Sequence, residues 1–399
     1  MKALLVASEF PPGPGGIGTH AWQLARHLPR WGWEVTVLAA QDYVSDAEAV
    51  AFGHGQPFRL VRLPRASHPA VTGWRRWRHV GRMLGETRPD VVLATGMKSV
   101  WIAAATAPKT LPWVAIGHAT EFRVRGRVGS SLTRWAFQKA STVVCVSRFT
   151  RGLMRSAGIR PRAEEVIPNG ADPGAFEPMP EAERQAFRER KGVTGARILL
   201  TVGNVTDRKG QEVVIRALPA IVRRHPEVVY VMVGMPTRRD AFLTVARELG
   251  VEGHVRFEGI ADAADLRAWY QVCEVFVVTS RTTASGDSEG FGIVAVEAAL
   301  SGRPSVVSEG SGLVEAILPG ETGLTAPEND PPATASVILR LLDDAVLRER
   351  MGMRARERAL NEQTWEQCVQ RFDQVLKPLV ESPLGVEPAP GAHPVAGIR

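Results

Sequence analysis

The chain has 399 residues, 44% hydrophobic and 23% charged, a composition typical of a soluble globular protein and a length that favours two domains over one. Its three cysteines, Cys145, Cys273 and Cys368, are widely spaced and match no Cys-x-x-Cys or Cys/His pattern, which argues against a disulfide framework or a structural zinc site. The net charge of +7 is unevenly divided: residues 1–172 hold 23 Lys and Arg against 11 Asp and Glu (+12), and the remainder holds 26 against 31 (−5).

The first ten residues, MKALLVASEF, contain an apolar run that is too short for the core of a signal peptide and leads directly into Pro11 and Pro12. We read this run as the first buried strand. No stretch approaches the roughly 18 consecutive apolar residues of a membrane-spanning helix. We therefore expect a cytoplasmic protein, or one bound peripherally at the inner face of the membrane.

Short apolar runs alternate with longer amphipathic segments, the pattern of βα units built on a parallel sheet. The strands are nearly continuously apolar, as expected when helices cover both faces of a sheet. In the first half we predict strands at 4–7, 35–39, 91–94, 113–116, 143–146 and 166–168. In the second half we predict strands at 198–202, 229–233, 255–257, 275–278 and 305–307. The sequence thus predicts two doubly wound α/β domains facing one another, with ligands at the carboxyl ends of the strands.

The loop after the first predicted strand reads PPGPGGIG at residues 11–18 and precedes a helix predicted from Thr19 to Leu28. Glycines at Gly15 and Gly16 allow the backbone to contact a ligand, and Thr19 can help to satisfy the open helix N-terminus. The spacing differs from the Gly-x-Gly-x-x-Gly fingerprint of a dehydrogenase. A plain strand-to-helix turn without a ligand is the alternative.

A basic, tryptophan-rich helix is predicted at 73–84. Trp77, Val80 and Leu84 are expected on one face of this helix. Three arginines are expected on another face, and three more follow the strand predicted at 113–116: Arg75, Arg78 and Arg82, then Arg123, Arg125 and Arg127. Such a stretch suits an anionic membrane surface, and the alternative is an ordinary surface helix packed on its sheet. Nucleic-acid binding is a rival interpretation, which we disfavour because the tryptophans are scattered over apolar faces.

Polar residues follow two later strands of the first half. His118 lies at the end of the strand predicted at 113–116, a position that opens into the cleft of an open α/β domain, although a lone His is more commonly structural. Ser147 follows the strand at 143–146 and is either a cleft residue or a structural one. The segment NGAD at 169–172 reads as a turn, and prolines beyond it break any regular pattern, which predicts the domain hinge.

Two adjacent cations, Arg208 and Lys209, end the loop after the first strand of the second half and precede a helix predicted to begin near Gln211. An exposed Arg-Lys pair is commonly only a solvated surface. Loops after a first strand open into the interdomain cleft, however, and a cation there can stabilise a diphosphate leaving group more in the transition state than in the ground state.

Two glutamates, Glu289 and Glu297, stand eight positions apart across a loop-to-helix junction. The run FGIVAVEAAL at 291–300 is too apolar for a surface helix, so Glu297 lies on a buried helix, where an ionised carboxylate is costly without a hydrogen-bonding partner. Glu289 precedes the helix N-terminus, which favours anions such as phosphate. The spacing suits a ligand with hydroxyls at both ends of a diphosphate, such as a nucleotide sugar. Pairing with a nearby Arg is the alternative for a buried Glu.

This segment, together with SGRPSVV at 301–307 and GETG at 320–323, resembles the donor-site signature of the retaining glycosyltransferases of the GT-B fold, family 4. The resemblance spans nearly the whole chain. It implies an acceptor-side domain at 1–172, a donor domain at 173–363 and a helix at 364–380 that crosses back to the first domain. The Pro/Gly/Ala-rich tail at 381–399 is expected to be disordered.

The resemblance also implies roles for individual residues. Gly15 and Gly16 contact the donor diphosphate, His118 the donor sugar, and Lys209 the leaving phosphate. Glu289 holds sugar hydroxyls and Glu297 the ribose diol. The donor-binding set is completed by Asn204, Arg208, Phe291, Gly292 and Ile293. Family members usually carry an Arg at the position of Asn204, so the second phosphate contact falls either to Arg208 or to backbone amides.

The implied reaction transfers a hexose from a nucleotide diphosphate sugar, of the GDP-mannose or UDP-glucose type, to a lipid-linked or polysaccharide acceptor. In this family the departing phosphate is thought to act as the base in a front-face attack. We expect no catalytic metal, since the chain has no DxD next to a strand end and no His pair at ligand spacing, and Asp287 alone is insufficient. A sugar-phosphate synthase or a sugar-nucleotide epimerase of the same fold stays open as an alternative.

Overall fold

The computed structural model describes residues 1–13, 15–124, 126–284 and 286–381. In chain order the strands are β1 Lys2–Ala7, β2 Glu34–Ala39, β3 Arg59–Arg62, β4 Val91–Thr95, β5 Trp113–Gly117, β6 Thr142–Cys145, β7 Glu164–Val166, β8 Arg197–Val202, β9 Val228–Val233, β10 Val255–Gly259, β11 Val275–Val278, β12 Ser305–Ser308 and β13 Gly323–Ala326. These strands contain or overlap every strand predicted from the sequence.

The helices surround the two sheets. They are α1 Gly16–His27, α2 Asp46–Gly53, α3 Pro69–Thr87, α4 Met97–Thr106, α5 Arg127–Lys139, α6 Arg148–Ser156, α7 Glu181–Arg190, α8 Gln211–Arg224, α9 Arg239–Glu248, α10 Ala263–Val272, α11 Ile293–Leu300, α12 Leu313–Ala316, α13 Pro331–Asp343, α14 Ala345–Glu362 and α15 Trp365–Glu381. Single 3₁₀ turns lie at Leu28–Trp31, Thr120–Arg123, Pro173–Phe176, Asp207–Lys209 and Glu252–His254.

The strands form two parallel sheets. The first has the order β3-β2-β1-β4-β5-β6-β7 and the second the order β10-β9-β8-β11-β12-β13. In each sheet the order reverses beside its first strand, because β1 pairs with both β2 and β4, and β8 with both β9 and β11. The predicted doubly wound α/β class is thus confirmed, and the crevices at the carboxyl ends of β1/β4 and β8/β11 are where this architecture places ligands.

Two of the strands, β3 and β13, were not predicted from the sequence. The edge strand β3 reads RLVR and is only partly buried, so it lacks the continuous apolar run by which central strands are recognised. The edge strand β13 is four residues long, reads GLTA and contains one large apolar side chain, Leu324. The first helix also begins earlier than predicted, at Gly16 rather than Thr19, because Gly15 supplies the turn into it with φ of 140°.

The basic helix predicted at 73–84 is α3. Val80 and Leu84 are buried, whereas Trp77 is 44% exposed and Arg76 is buried. The Arg76 guanidinium pairs with the Asp42 carboxylate and donates from Nε to the Pro64 carbonyl, 3.0 Å away. These two partners stabilise the buried guanidinium of Arg76, whose burial the sequence analysis did not predict.

The chain crosses between the sheets twice, near residues 171 and 364. Ala171 and Thr364 form a parallel bridge there, and Trp365 N donates to the Ala171 carbonyl at 3.2 Å. From this point α15 lies against the first sheet's helices, where the Trp33 indole donates to Asp373 Oδ1 at 2.8 Å. The helix expected at 364–380 corresponds in position to α15, Trp365–Glu381. The exact limits of the domains at 1–172 and 173–363 stay predictions, and residues 382–399 of the predicted tail lie outside the described residues.

Candidate functional site

The two domains touch at the loop that precedes α11. The Gly290 carbonyl accepts hydrogen bonds from Ser147 Oγ at 2.6 Å and Thr150 Oγ1 at 3.3 Å, both belonging to the first domain. A Cβ on Gly290 would clash with the His118 carbonyl oxygen, so the approach requires glycine. This contact places Glu289, which the second domain carries, beside the end of β5 in the first domain.

Both cations selected from the sequence, Arg208 and Lys209, contact the Glu289 carboxylate. Arg208 Nη1 lies 2.6 Å and Lys209 Nζ 2.8 Å from the same carboxylate oxygen. Burial alone would raise the pKa of Glu289, but the attraction of Lys209 and Arg208 outweighs it and lowers that pKa to about 2. The Glu289 side chain is only 15% exposed. The site therefore holds an ionised carboxylate shared by two cations.

Arg208 points into this cluster. Its Nε lies 3.3 Å from Asp287 Oδ2, so the guanidinium bridges two acidic residues of the loop. Burial alone would lower the Arg208 pKa, but the nearby Glu289 and Asp287 carboxylates outweigh this effect. The Arg208 pKa is therefore raised overall. The sequence alone left the direction of this side chain open. In the structure it lies beside Lys209, where both can reach one ligand group.

Asn204, at the position of the usual family Arg, is exposed and helps to order its loop. Its Oδ1 accepts from Met235 N at 3.2 Å, and its carbonyl accepts from Gln211 Nε2 at 3.1 Å. The loop after β8 is thereby tied to the loop after β9 and to the start of α8.

Two glycines allow Lys209 to reach its position. Gly203 has φ of 135°, and a Cβ there would lie 3.2 Å from Lys209 Cε, so the lysine stem passes directly over that glycine. Gly210 has φ of 70°, and a Cβ there would clash with the Thr279 carbonyl. The Lys209 side chain is 12% exposed. Its placement thus depends on backbone approaches that only glycine permits.

His118 is buried at the end of β5. Its Nε2 lies 2.8 Å from Thr95 Oγ1 at the end of β4, and its main-chain N–H donates to Glu121 Oε2 at 3.0 Å. Burial lowers the pKa of His118 to about 3, so the imidazole is neutral at ordinary pH. Ala119, the next residue, has φ of 97°, a conformation that costs energy for a residue with a side chain.

Glu121 lies next to His118 and accepts a hydrogen bond from its main-chain N–H through Oε2. Its Oε1 has no hydrogen-bond partner among the described residues. Burial raises the Glu121 pKa to about 7, and the charges of Glu9 and Asp287 add to that rise. Glu9, half-buried below the glycine-rich loop, likewise has a pKa raised by burial.

The glycine-rich loop leaves open space at the start of α1. A Cβ on Gly15 would lie 2.5 Å from a Glu9 carboxylate oxygen, whereas a Cβ on Gly16 would meet nothing within 4 Å. Among the described residues, no side-chain hydrogen bond caps the N-terminus of α1. Thr19 was expected to cap it and does not, since its hydroxyl donates to the Gly15 carbonyl at 3.1 Å. A helix N-terminus whose first N–H groups lack a side-chain cap favours an anion.

Glu297 lies on α11. A buried carboxylate was expected to need a hydrogen-bonding partner, and that partner is Tyr270. The Tyr270 hydroxyl donates to Glu297 Oε2 at 2.7 Å. Burial raises the pKa of Glu297, and the Tyr270 hydrogen bond and Lys209 oppose that rise. Tyr270 was not selected from the sequence because its helix, AADLRAWYQV, reads as ordinary core. The contact is the only signal that identifies it.

The residues between the two glutamates set the direction of α11. Phe291 is buried, and Gly292 turns the chain with φ of 87° at a point where a Cβ would clash with Leu313 Cδ2. Ile293 then begins the helix. The structure brings Lys209, Arg208, Glu289 and the end of β5 to one place.

The basic residues predicted for the acceptor side do not form one cluster. Arg75, Arg78 and Arg82 are exposed on α3, with the Arg78 guanidinium 4.9 Å from the ring centroid of Trp74. Arg123 instead packs against Gly286 of the second domain, where a Cβ would lie 3.4 Å from the Arg123 Cβ. Arg125 lies outside the described residues.

Within residues 1–13, 15–124, 126–284 and 286–381, no helix is long and apolar enough to cross a membrane. Over the same ranges, no group of three His, Cys, Asp or Glu side chains is arranged to hold a metal ion.

The sequence matches two family profiles, "Glycosyltransferase Family 4" over residues 14–175 and "Glycosyl transferases group 1" over residues 183–358. A GDP-mannose-dependent alpha-(1-6)-phosphatidylinositol monomannoside mannosyltransferase of Mycolicibacterium smegmatis is 31% identical over 94% of this chain and 97% of its own length. A glycogen synthase of Mycobacterium tuberculosis is 29% identical, with 92% of each chain covered.

Solved structures with the same fold include HepE of Anabaena in complex with UDP, with a TM-score of 0.79 at 21% identity over 95% of this chain and all of that one. The sucrose-phosphate synthase of Thermosynechococcus elongatus has a TM-score of 0.80 at 22% identity over 95% of this chain and 99% of that one. With two facing parallel-sheet domains, profile matches to both and a relative similar over its full length, the chain belongs to the family 4 glycosyltransferases of the GT-B fold, enzymes that transfer a sugar from a nucleotide sugar.

Proposed function

We propose that this enzyme moves a hexose from a nucleotide diphosphate sugar to a lipid-linked or glycan acceptor, with retention of anomeric configuration and without a catalytic metal. The observation that carries the proposal is the buried Glu289 carboxylate shared by Arg208 and Lys209 next to the end of β5. The Mycolicibacterium relative, described as GDP-mannose-dependent, supports GDP-mannose as the first donor to test.

The donor diphosphate is proposed to lie between the two domains. Arg208 and Lys209 reach it from the second domain, and the uncapped first turn of α1, beginning at Gly16, reaches it from the first. A phosphate between these groups gains charge as the glycosidic bond breaks, so the cations stabilise the transition state more than the bound substrate. In this proposal Arg208 makes the phosphate contact that family members usually obtain from an Arg at the position of Asn204.

Glu289 has a double role in the proposal. Its carboxylate holds Lys209 and Arg208 in position, and it accepts hydrogen bonds from hydroxyls of the donor sugar. An acceptor-only carboxylate suits this role, and the low Glu289 pKa of about 2 keeps it ionised throughout the working pH range. Glu297, oriented by Tyr270, is proposed to bind the ribose diol at the other end of the diphosphate.

His118 is proposed to position the sugar rather than to transfer a proton. A pKa of about 3 leaves its ring neutral and a poor base, and Thr95 Oγ1 already contacts Nε2. Glu121 is turned towards the main chain of His118 rather than into the sugar position. Retention therefore relies on front-face attack, in which the acceptor hydroxyl gives its proton to the departing phosphate.

A membrane-borne acceptor is supported by the outer surface of the first domain. Large apolar side chains are exposed on α3 and α5, beside the basic residues of those helices: Val71, Trp74, Trp77, Val128, Leu132 and Trp135. Lys139 Nζ lies 4.4 Å from the Trp135 ring centroid, which repeats on α5 the cation–aromatic pairing of Arg78 and Trp74 on α3. Aromatic side chains flanked by cations suit the interface of an anionic bilayer.

The donor is tested by thermal unfolding of the intact protein with a panel of nucleotide sugars, including GDP-mannose and UDP-glucose. A ligand at 100 times its dissociation constant adds about 2.7 kcal/mol of stability, a shift that is readily measured. The stabilising donor is then incubated with anionic membranes, soluble glycans and sugar phosphates, and the products are analysed. Transfer to a sugar phosphate alone would support the synthase alternative. If no nucleotide sugar stabilises the protein, the proposed donor class is wrong.

A further inference from the structure

A second polar cavity opens at the edge of the donor domain opposite the site described above. It has a volume of about 290 Å³ and lies at the amino ends of β11 and β12, against α7 and α14. The turn after α11 forms one wall, so the short helix that starts at the Glu289 loop ends at this cavity. The sequence between Leu300 and β12 reads SGRP and contributes Arg303.

Four arginines line this cavity: Arg184, Arg188, Arg303 and Arg348. Three of them donate to main-chain carbonyls, Arg348 doing so to the Leu341 carbonyl at 2.8 Å. Arg188 donates to the Ala196 carbonyl at 2.9 Å and to the Val272 carbonyl at 2.7 Å, and Arg303 Nη2 donates to the Gln271 carbonyl. Carbonyls fix the direction of a guanidinium but leave its charge uncompensated.

Arg303 is the clearest sign of a missing anion. Its Nε is fully buried and has no hydrogen-bond partner among the described residues. Burial lowers the Arg303 pKa, and the neighbouring Arg184 and Arg188 act in the same direction. A donor left unpaired among like charges is unfavourable unless a ligand supplies an acceptor.

The carboxylates nearby are largely engaged elsewhere. Glu274 accepts two hydrogen bonds from Arg197, at 3.0 Å and 2.7 Å, and lies 3.5 Å from Arg348 Nη2. Glu181 pairs with Arg184 at the surface, where the glutamate side chain is 75% exposed. The guanidinium groups of Arg188 and Arg303 are thus available to a ligand.

We propose that this cavity, the arginine cavity, binds a phosphate monoester of a small polar molecule. A phosphate monoester carries close to two negative charges at neutral pH and three acceptor oxygens, which suits two or three converging guanidinium groups better than a single carboxylate does. The cavity is larger than a bare phosphate requires, and Glu181 and Glu349 at its rim offer acceptors for hydroxyl groups. A sugar phosphate combines both features.

The test is calorimetric titration of the full chain with glucose 6-phosphate, with inorganic phosphate, glucose and sulfate as separate arms. We expect saturable one-to-one binding of glucose 6-phosphate, at least tenfold weaker binding of inorganic phosphate and sulfate, and none of glucose. Arg303→Gln should weaken the binding at least tenfold, and so should Arg184→Gln, whose half-exposed side chain makes misfolding less of a concern.

Two further variants make the result decisive. Lys209→Ala removes a cation of the donor site and should leave glucose 6-phosphate binding unchanged, whereas Arg340→Gln alters an exposed arginine of α13 and should have no effect. Binding that disappears in Lys209→Ala but survives in Arg303→Gln and Arg184→Gln would place the phosphate in the donor site and overturn the proposal. Absence of saturable binding, or equal affinity for sulfate, would also overturn it. Since the arms separate the two sites, failure here leaves the proposed transfer reaction untouched.

Discussion

Replacing Glu289 by Gln should separate the two roles proposed for this carboxylate. The Glu289 pKa of about 2 lies roughly 2.5 units below its ordinary value of 4.5, which corresponds to about 3 kcal/mol by which the folded protein favours the ionised form. The amide keeps the shape but leaves Arg208 and Lys209 facing one another without an anion between them. We expect turnover to fall by about a hundredfold or more, equivalent to about 2.7 kcal/mol in the barrier.

The nucleotide distinguishes loss of the sugar contact from collapse of the site. A bound diphosphate supplies the negative charge that Glu289→Gln removes, so GDP or UDP should still bind this variant and stabilise it at least as much as the wild type. Lys209→Ala should instead lose both turnover, again by about a hundredfold, and nucleotide binding. Lys109→Ala, at an exposed lysine in the first domain, is the matched control and should behave as wild type.

The measurements are steady-state transfer with the stabilising donor and thermal unfolding with and without GDP or UDP. Stability also carries a pH signature. Because the folded pKa of Glu289 is depressed, its contribution is complete above pH 4.5 and is lost as the pH falls towards 2. Wild-type unfolding should show this loss and Glu289→Gln should lack it. Near-normal transfer by both Glu289→Gln and Lys209→Ala would refute the assignment of this cluster to the donor.

Three further outcomes are expected. Glu121 has a pKa of about 7 in the folded protein, above its ordinary 4.5, so its protonated form stabilises the folded state at low pH. The melting temperature should therefore decline as the pH rises from 4.5 to 7, and Glu121→Gln should flatten that decline. If the variant kept the wild-type pH profile, this reasoning about Glu121 would be wrong. Transfer should survive excess EDTA, and activity abolished by EDTA and restored by magnesium or manganese would reveal a metal requirement. The protein should co-sediment with anionic but not neutral liposomes, since each basic residue near such a surface contributes about 1 kcal/mol within a Debye length of about 8 Å; high salt and the pair Arg75→Glu with Arg78→Glu should weaken this, and indifference to anionic liposomes at low salt would favour a soluble acceptor.

The architecture could be predicted from the sequence because central strands of a doubly wound sheet are buried on both faces and appear as apolar runs. That signal weakens at the sheet edges, where β3 carries two arginines and β13 is short, and both were missed. On α3 the burial of Arg76 was not predicted, for a related reason. Hydrophobicity ranks tryptophan above arginine for burial, but Arg76 can be buried because Asp42 and a carbonyl lie where its guanidinium ends.

At the site, residue type and spacing selected Lys209, Arg208 and Glu289, but not how they are joined. The direction of Arg208 depends on the loop of Asp287, nearly 80 residues later, and nothing local encodes it. Tyr270 was not selected for the same reason, since only its hydrogen bond to the Glu297 carboxylate, 2.7 Å away, links it to the candidate site. Thr19 was wrongly predicted to cap α1. Its hydroxyl could accept from a helix N-terminus, but the helix begins three residues earlier and Thr19 lies within its first turn.

The contacts that close the two domains on one another are made largely by main-chain groups. Gly290 offers its carbonyl to two hydroxyls of the first domain, and the Glu315 carboxylate accepts from the N–H groups of Arg148 and Phe149 at 2.8 and 2.7 Å, at the start of α6. Such contacts are directional, so they specify the position of one loop against the other. Since Gly290 follows Glu289 directly, the contact that seats the glycine against Ser147 also places the carboxylate beside the end of β5. The interdomain contact and the proposed donor site are therefore built from adjacent residues, and the hydrogen bond between Trp33 and Asp373 of α15 adds a second connection to the first domain.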